Sequence, residues 1–175
     1  MREYTFEFKD PSLEESIDRY IKRKRGEEVY ICIFGLLEPS KTRNVFKIEH
    51  LLPLPNCADK DRNIYCLPPE YLDAVVLETE SFTGMRFLGF VHNHPGTRSV
   101  ASKADIAYAG RMRIDWGDRF ESSSITLFTR CLMAIVGERK TMRVYHVEMS
   151  HDRSTYTITP IKGKTFKYKV LTRRY

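Results

Sequence analysis

One run of residues, Val29 to Leu37 (VYICIFGLL), constrains the fold of this chain most strongly. It is almost entirely apolar on both strand faces and rich in β-branched and aromatic residues, which is typical of a strand covered on both sides. Residues 44–52 (NVFKIEHLL) predict an antiparallel partner across the EPSKTR turn. A central strand of this kind requires packing layers on both faces of its sheet.

Three segments with helical periodicity could provide those layers. In residues 11–25, acidic side chains precede basic ones and Gly26 follows as a stop signal. The second segment starts at the Pro68–Pro69 pair and ends near Gly84, and the third covers 102–116. The predicted apolar faces are Leu13, Ile17, Tyr20 and Ile21 in the first helix, and Tyr71, Val75 and Val76 in the second.

Shorter apolar or alternating runs predict further strands. They cover residues 4–8, 85–92, 125–129, 132–136 and 142–148, with an edge strand in 155–170 and loops at 53–63 and 95–101. A length of 175 residues suits one domain. We therefore predict a single domain over residues 1–175 of the α/β (α+β) class, in which helices are layered on a mixed sheet.

Composition limits the classes of function. No apolar run approaches the ~18–20 residues of a membrane span, and the charged start MREYTFEFKD resembles no signal region, so no membrane association and a cytoplasmic location are expected. The net charge of +6 permits an acidic partner. Nucleic acid is not the expected partner, because no recognition motif accompanies the basic residues. The cysteines are expected to be reduced. Cys57 and Cys66 flank a polar loop and could approach each other.

The segment 91–105 (VHNHPGTRSVASKAD) carries the chemistry. His92 and His94 are two residues apart at the end of a predicted strand, so both imidazoles share one face. Ser102 and Asp105 follow at the start of a predicted helix, from which Asp105 could reach the histidines. Two His, one carboxylate and an open fourth position are typical of a catalytic zinc site.

Other interpretations apply to the same residues. Ser102 and Asp105 also fit a Ser-x-x-Asp capping box, and a His-x-His pair alone often marks only a polar strand end. The conjunction of all four residues favours the metal site, and a capping role could coexist with it. His50 and His146 lie in predicted strands and are expected to have no metal role.

The spacing His92-x-His94, seven residues, Ser102, two residues, Asp105 resembles the signature of the JAMM (MPN+, Mov34/PAD-1, JAB domain) zinc metallopeptidases. The family motif includes an upstream glutamate about seven residues before a glycine. Glu28 fits that position before Gly35. Glu27 is its neighbour, and a slip of one residue would exchange them. Glu28 is favoured because it adjoins the apolar run. Ala101 departs from the proline that many members carry before the serine.

The resemblance implies an α/β/α, cytidine-deaminase-like layering on a curved mixed sheet, with residues from about 151 to 175 least like the family. It implies Zn²⁺ held by His92, His94 and Asp105. It assigns Glu28 as general base and Ser102 as hydrogen-bond donor to the developing oxyanion.

The activity so implied is cleavage of ubiquitin-like or sulfur-carrier proteins, which end in a Gly-Gly-type tail, from conjugates or precursors. The tail would lie between the loops 53–66 and 95–101, and a homodimer is possible. The alternatives are hydrolysis of a small-molecule amide, a catalytically silent scaffold of the same fold, and a RadC-like protein of undefined activity.

Overall fold

The computed structural model describes residues 3–24, 26–59, 65–96, 99–109, 130–137, 140–149 and 155–171. The strand predicted at 125–129, the part of the third helix beyond 109 and the end of the chain from 172 lie outside these ranges. The elements are β1 (Glu3–Phe8), α1 (Pro11–Arg23), β2 (Tyr30–Pro39), β3 (Arg43–Leu54), α2 (Pro69–Thr83), β4 (Arg86–Asn93), α3 (helical residues 103–109), β5 (Arg130–Gly137), β6 (Thr141–Met149), β7 (Tyr156–Pro160), β8 (Lys162–Lys164) and β9 (Lys169–Val170).

The strands form one mixed, strongly curved sheet in the order β7-β6-β5-β4-β2-β3-β1-β8, and β9 also pairs with β6. β2 is antiparallel to both β3 and β4, which confirms the predicted hairpin. β4 and β5 are parallel, as expected of strands joined by a crossover that contains a helix. β7 and β8 lie at opposite ends of the order but are separated only by Ile161, so the sheet is nearly closed on itself.

The two faces of the sheet are covered by different helices. Ile31 and Ile33 of β2 pack in a core with Ile17 of α1. The alternate residues of β2 pack with α2 and α3, in a second core that includes Leu72 and Ala109. β2 is therefore the doubly covered central strand that the sequence predicted. Its covered part ends earlier than predicted, because Leu36 is 44% exposed.

Helix boundaries follow their capping chemistry. Asp10 caps α1 by accepting a hydrogen bond from the Ser12 N–H at 2.8 Å, and the helix ends at Arg23, slightly earlier than predicted. α2 ends at Gly84, whose φ of 69° is the left-handed conformation that favours glycine. The predicted inner face of α2 is wrong at Tyr71, which is 46% exposed, whereas the next residue, Leu72, is buried.

The C-terminal segment is not the single edge strand that was predicted. It forms three short strands, β7, β8 and β9. It also places Ile161 and Tyr168 in the core that contains Ile17 of α1, which we call the α1-side core. The Glu14 side chain of α1 is fully buried and accepts hydrogen bonds from the backbone N–H groups of Phe166 and Lys167 at 2.7 and 2.8 Å. Residues 156–170 are therefore built into the fold.

A β-bulge lies in β4 between Phe87 and Gly89. In the pairing with β2, Ile33 faces Gly89 and the next residue, Phe34, faces Phe87, so Leu88 has no cross-strand partner in β2. Gly89 has φ 143°, and a Cβ there would lie 1.9 Å from the carbonyl oxygen of Leu132. Glycine is therefore required by both the backbone conformation and the close approach of β5.

Candidate metal centre

Two imidazoles project from the end of β4 toward α2 and α3. His92 is buried and directly follows Val91, which packs in the α1-side core, so the two side chains point to opposite faces. His94 comes just after the strand, and its backbone N–H donates to the Val136 carbonyl at 3.0 Å. This bond extends the pairing with β5 and holds the second imidazole beside the first. The predicted shared face of the two histidines is confirmed.

Asp105, in the first turn of α3, completes a cluster of three side chains. Nε2 of His92 lies 3.2 Å from Oδ1 of Asp105, and Nε2 of His94 lies 3.2 Å from Oδ2. The two Nε2 atoms are 3.1 Å apart. Within the described ranges, these three residues are the only group of potential ligands that converges closely enough to hold a metal ion.

The donor set fits a tetrahedral metal ion. Two ligand atoms bonded at 2.0–2.1 Å to a tetrahedral ion are about 3.3 Å apart, close to the separations in this cluster. Two imidazole nitrogens and one carboxylate oxygen suit zinc and other borderline transition metals better than Ca²⁺ or Mg²⁺, which prefer oxygen ligands. The cluster could therefore hold a metal ion, with at least one coordination position open to a further ligand.

Asp105 is ionised in this environment. Burial raises the pKa of its carboxyl, but hydrogen bonds from His92 and His94 and from the Ser102 N–H lower it by more, so that the pKa lies well below its ordinary value. An ionised carboxylate is the form that binds a metal ion.

Ser102 and Asp105 also form the predicted capping box. The Asp105 N–H donates to Oγ of Ser102 at 3.1 Å, and the Ser102 N–H donates to Oδ2 of Asp105 at 2.6 Å. The reciprocal bonds fix the first turn of α3 and orient the carboxylate toward the histidines. The capping interpretation and the ligand interpretation are thus compatible for Asp105. The role of Ser102 as an oxyanion donor stays a prediction.

A cluster of aromatic side chains packs next to the three potential ligands. Tyr30 of β2 stacks on Phe90 of β4 with ring centroids 4.8 Å apart, and on Tyr65 at 4.9 Å. Tyr108, one helical turn after Asp105, meets Tyr30 and Phe90 edge-on. The His92 ring lies 5.8 Å from Phe90. These contacts fix α3 against β2 and β4, and hence Asp105 against the imidazoles.

Glu28 is not one of the three converging residues. It lies just before β2, and its carboxylate Oε2 accepts a hydrogen bond from the Tyr65 N–H at 2.9 Å. By strand alternation, its side chain belongs on the face of Tyr30, which pairs with His92. Glu27 differs, because its side chain is 49% exposed and lies 4.0 Å from Lys24. Of the two glutamates, Glu28 is the one directed toward the chain segments around the site.

Sequence reasoning missed two asparagines that bind the backbone around Glu28. Oδ1 of Asn93 accepts from the Val29 N–H at 2.7 Å, and its Nδ2 donates to the Glu27 carbonyl at 3.3 Å. Nδ2 of Asn56 donates to the Glu28 carbonyl at 3.2 Å. The only sequence signal was the position of Asn93 between the two histidines, on the opposite strand face.

The remaining predicted features lie apart from the cluster. Cys57 and Cys66 approach each other as expected, since the Cys57 N–H donates to the Cys66 carbonyl at 2.7 Å, and both are exposed thiols. His146 is buried in β6 and stacks on Tyr4 at 3.9 Å. His50, in β3, lies 6.0 Å from Phe34. Neither histidine belongs to the metal-ligand cluster.

Comparison with known proteins bears on the fold. No protein-family model matches this sequence, and neither does any curated protein. The structure is similar to the solution structure of a protein from Desulfitobacterium hafniense, with a TM-score of 0.55 and 17% sequence identity, over 93% of this chain and 94% of that one. Within the described ranges, no helix is long and apolar enough to cross a membrane. The chain thus has a mixed α+β fold, seen in at least one solved structure, with a potential metal-ligand cluster.

Proposed function

We propose that this protein is a zinc-dependent peptidase of the JAMM type, which hydrolyses the bond after a Gly-Gly-type tail of a ubiquitin-like or sulfur-carrier protein. The observation that carries the proposal is the convergence of His92, His94 and Asp105 on one point. The near-closed sheet with helices on both faces is compatible with the layering that the JAMM resemblance implies.

His92, His94 and Asp105 would hold the zinc ion. A zinc ion there would supply a Lewis acid for the scissile carbonyl and lower the pKa of a coordinated water toward ~7. The aromatic cluster of Tyr30, Phe90 and Tyr108 lies on one side of the ligands, where Phe90 meets the His92 ring. We expect an extended substrate tail to approach between the segments 53–66 and 95–101.

Glu28 would transfer the protons. Its Oε2 accepts the Tyr65 N–H, so we assign proton transfer to Oε1. Glu28 takes a proton from the attacking water and delivers it to the departing amine, so that hydrolysis yields a carboxylate and a free amine. The hydroxyl of Ser102 accepts the Asp105 N–H and still has its own proton to donate to the substrate carbonyl oxygen.

The test uses the zinc-loaded full chain and a ubiquitin-like protein joined through Gly-Gly to a lysine side chain or to a linear extension. We expect cleavage after the tail, as read by mass spectrometry. His94→Ala should lose zinc and cleavage together. Glu28→Gln should keep zinc and lose 10²–10⁴-fold in rate. Glu27→Gln is the matched control and should retain both. Unchanged cleavage by Glu28→Gln would contradict the assignment of the base.

A second candidate function is a zinc-holding binding module that does not turn over. The bond between Glu28 and the Tyr65 N–H favours it, because a carboxylate at a purely structural position would make the same contact. Stoichiometric zinc, tight binding of a Gly-Gly tail and no cleavage of either conjugate would support this function over the peptidase.

A further inference from the structure

We propose that Asn93 is the positioning residue for Glu28, and that it couples the placement of the base to the strand that carries the metal ligands. The inference rests on the proposed function where it concerns rate. Its structural part, that Asn93 sets the position of the Glu28 carboxylate, can be tested without any substrate.

The side-chain amide of Asn93 binds the two peptide groups that flank Glu28. Oδ1 accepts from the Val29 N–H at 2.7 Å, and Nδ2 donates to the Glu27 carbonyl at 3.3 Å. Asn93 is only 6% exposed, so these bonds face little competition from water. A carboxamide is the short side chain that offers a donor and an acceptor side by side, which is what this pair of bonds requires.

The amide acts where regular pairing ends. The last residue pair between β2 and β4 is Tyr30 with His92, so the residues before Tyr30 receive no ladder bonds from β4. Asn93 supplies substitute bonds for that stretch. On the other side, Asn56 donates to the Glu28 carbonyl and the Tyr65 N–H donates to the Glu28 carboxylate.

The position of Asn93 between the histidines links base and ligands. His92 and His94 face α3, where both meet Asp105, while the side chain between them points the opposite way and reaches the chain entering β2. One strand end therefore holds the imidazoles and the backbone of the base in a single rigid unit. A misplacement of a reacting group by about 1 Å can cost 10²-fold in rate, so this unit should matter for turnover.

The principal variant is Asn93→Asp, which keeps the size of the side chain and the acceptor for Val29 but loses the donor to Glu27. Asn93→Ala removes both bonds. Asn44→Asp is the matched control, because Asn44 is equally buried but pairs with Pro39 and Tyr4, in other parts of the sheet. We expect both Asn93 variants to keep stoichiometric zinc and an unchanged KM, with kcat lowered about 10–10²-fold.

A double-mutant cycle separates positioning from general damage. If Asn93 acts through Glu28, Asn93→Asp should cause no further loss of rate in the Glu28→Gln background. Multiplicative losses in the double variant would overturn the proposal. So would an Asn93→Asp enzyme with full kcat, or one whose loss matches that of Asn44→Asp.

The second measurement needs no activity. The Tyr65 N–H is bound by the Glu28 carboxylate, so its hydrogen-exchange protection reports whether the carboxylate is in place. We expect Asn93→Asp to lose as much of this protection as Glu28→Ala does, while amides in β5 and β6 remain protected. Retained protection of Tyr65 would overturn the structural claim. If the wild type cleaves no substrate but Asn93→Asp still loses the protection of Tyr65, the positioning claim is upheld and only the peptidase function is rejected.

Discussion

The backbone N–H of Ser102 donates to Oδ2 of Asp105 at 2.6 Å, and that same oxygen lies 3.2 Å from Nε2 of His94. A helix cap and a metal-ligand cluster thus share one carboxylate. The bond from Ser102 uses its backbone, so substitution of the Ser102 side chain leaves this orienting contact intact. It removes only the hydroxyl that accepts the Asp105 N–H.

We therefore predict that Ser102→Ala separates stability from rate. Loss of the cap should cost about 0.5–2 kcal/mol in the free energy of unfolding. Loss of an oxyanion donor should lower kcat by about 10²–10³-fold, with zinc content unchanged. Ser102→Thr should keep both functions if the site admits a methyl group. Melting temperature, zinc content and turnover of the three proteins provide the measurement. Intact turnover in a less stable Ser102→Ala protein would show that the serine is only a cap.

Zinc should stabilise the folded chain through the three clustered ligands. Binding to the folded state alone adds about 4 kcal/mol at a free zinc concentration of 1,000 Kd, so the melting temperature should rise with zinc and fall with a chelator. His92→Ala and Asp105→Ala should abolish this response. His50→Ala is the control, since His50 lies in β3 outside the cluster, and it should respond like the wild type. An equal response in His92→Ala would reject the assigned ligands.

The buried Glu14 should give stability a distinct pH dependence. Burial raises the pKa of its carboxyl, and the hydrogen bonds from Phe166 and Lys167 offset only part of that effect. The protonated carboxyl therefore favours the fold. That contribution is fully present below the ordinary pKa of ~4.3 and is lost as pH rises through the raised folded-state value.

Glu14→Gln keeps an oxygen acceptor for both N–H groups and should remove this decline. The midpoint of urea unfolding, measured between about pH 4 and pH 8, tests this prediction. Glu70→Gln is the control, because Glu70 is an exposed residue of α2. A Glu14→Gln curve parallel to that of the wild type would count against the assignment.

The four thiols should fall into two reactivity classes. Cys57 and Cys66 are exposed, whereas Cys32 and Cys131 are buried, and burial raises the pKa of the Cys32 thiol. A thiol reagent should modify two cysteines rapidly in the folded protein and the other two only on unfolding. Cys57→Ser should remove one rapid equivalent, and Cys32→Ser should remove none. Four equivalents of similar rate in the folded protein would contradict the burial assignments.

Replacement of Gly89 should be far more damaging than replacement of Gly84. An added Cβ at Gly89 would lie 1.9 Å from the Leu132 carbonyl oxygen, whereas at Gly84 it would meet nothing within 4 Å. Gly84→Ala should cost about 1–2 kcal/mol for its left-handed conformation alone. Gly89→Ala should cost more than that, because β4 and β5 must also separate. Chemical denaturation of both variants measures the difference, and equal losses would show that β5 can move aside.

The sequence patterns predicted the parts of the fold in which burial is continuous or periodic. The covered strand β2 and its hairpin with β3 follow from a continuous apolar run and a turn, and the shared face of His92 and His94 follows from strand alternation. The buried face of α2 was predicted incorrectly at one position. Tyr71 fits the helical periodicity, but the packing of α2 on the sheet buries Leu72 instead. Of the C-terminal strands, β7 lies within the predicted edge strand and at the end of the strand order. β8 and β9 were missed, because they are only three and two residues long and β8 pairs with the distant β1.

The candidate site was predictable in its side-chain ligands and not in its supports. Metal ligands must converge on one point, which restricts the spacings that they can have in the sequence. His92, His94 and Asp105 have such a spacing and can therefore be recognised from the sequence alone. The contacts of Asn93, Asn56 and Tyr65 with the backbone or carboxylate near Glu28 have no spacing rule. They depend on how a strand end, a loop and the start of β2 meet in space. Such contacts can be identified only in the three-dimensional structure.

The bulge at Leu88, which has no partner in β2, determines on which face of the sheet His92 and His94 lie. Phe87 and Phe90 are three positions apart and would lie on opposite faces of a regular strand, but both pack in the core on the α2 side. If β4 kept all its residues but lost the bulge, regular alternation from Phe87 would turn His92 and His94 toward the core beneath α1 and Asn93 toward α3. The position of the metal-ligand cluster thus depends on the bulge in β4 as well as on the residue types. Variants of β4 must therefore retain the bulge, and with it Gly89, to keep both histidines on the side of α3.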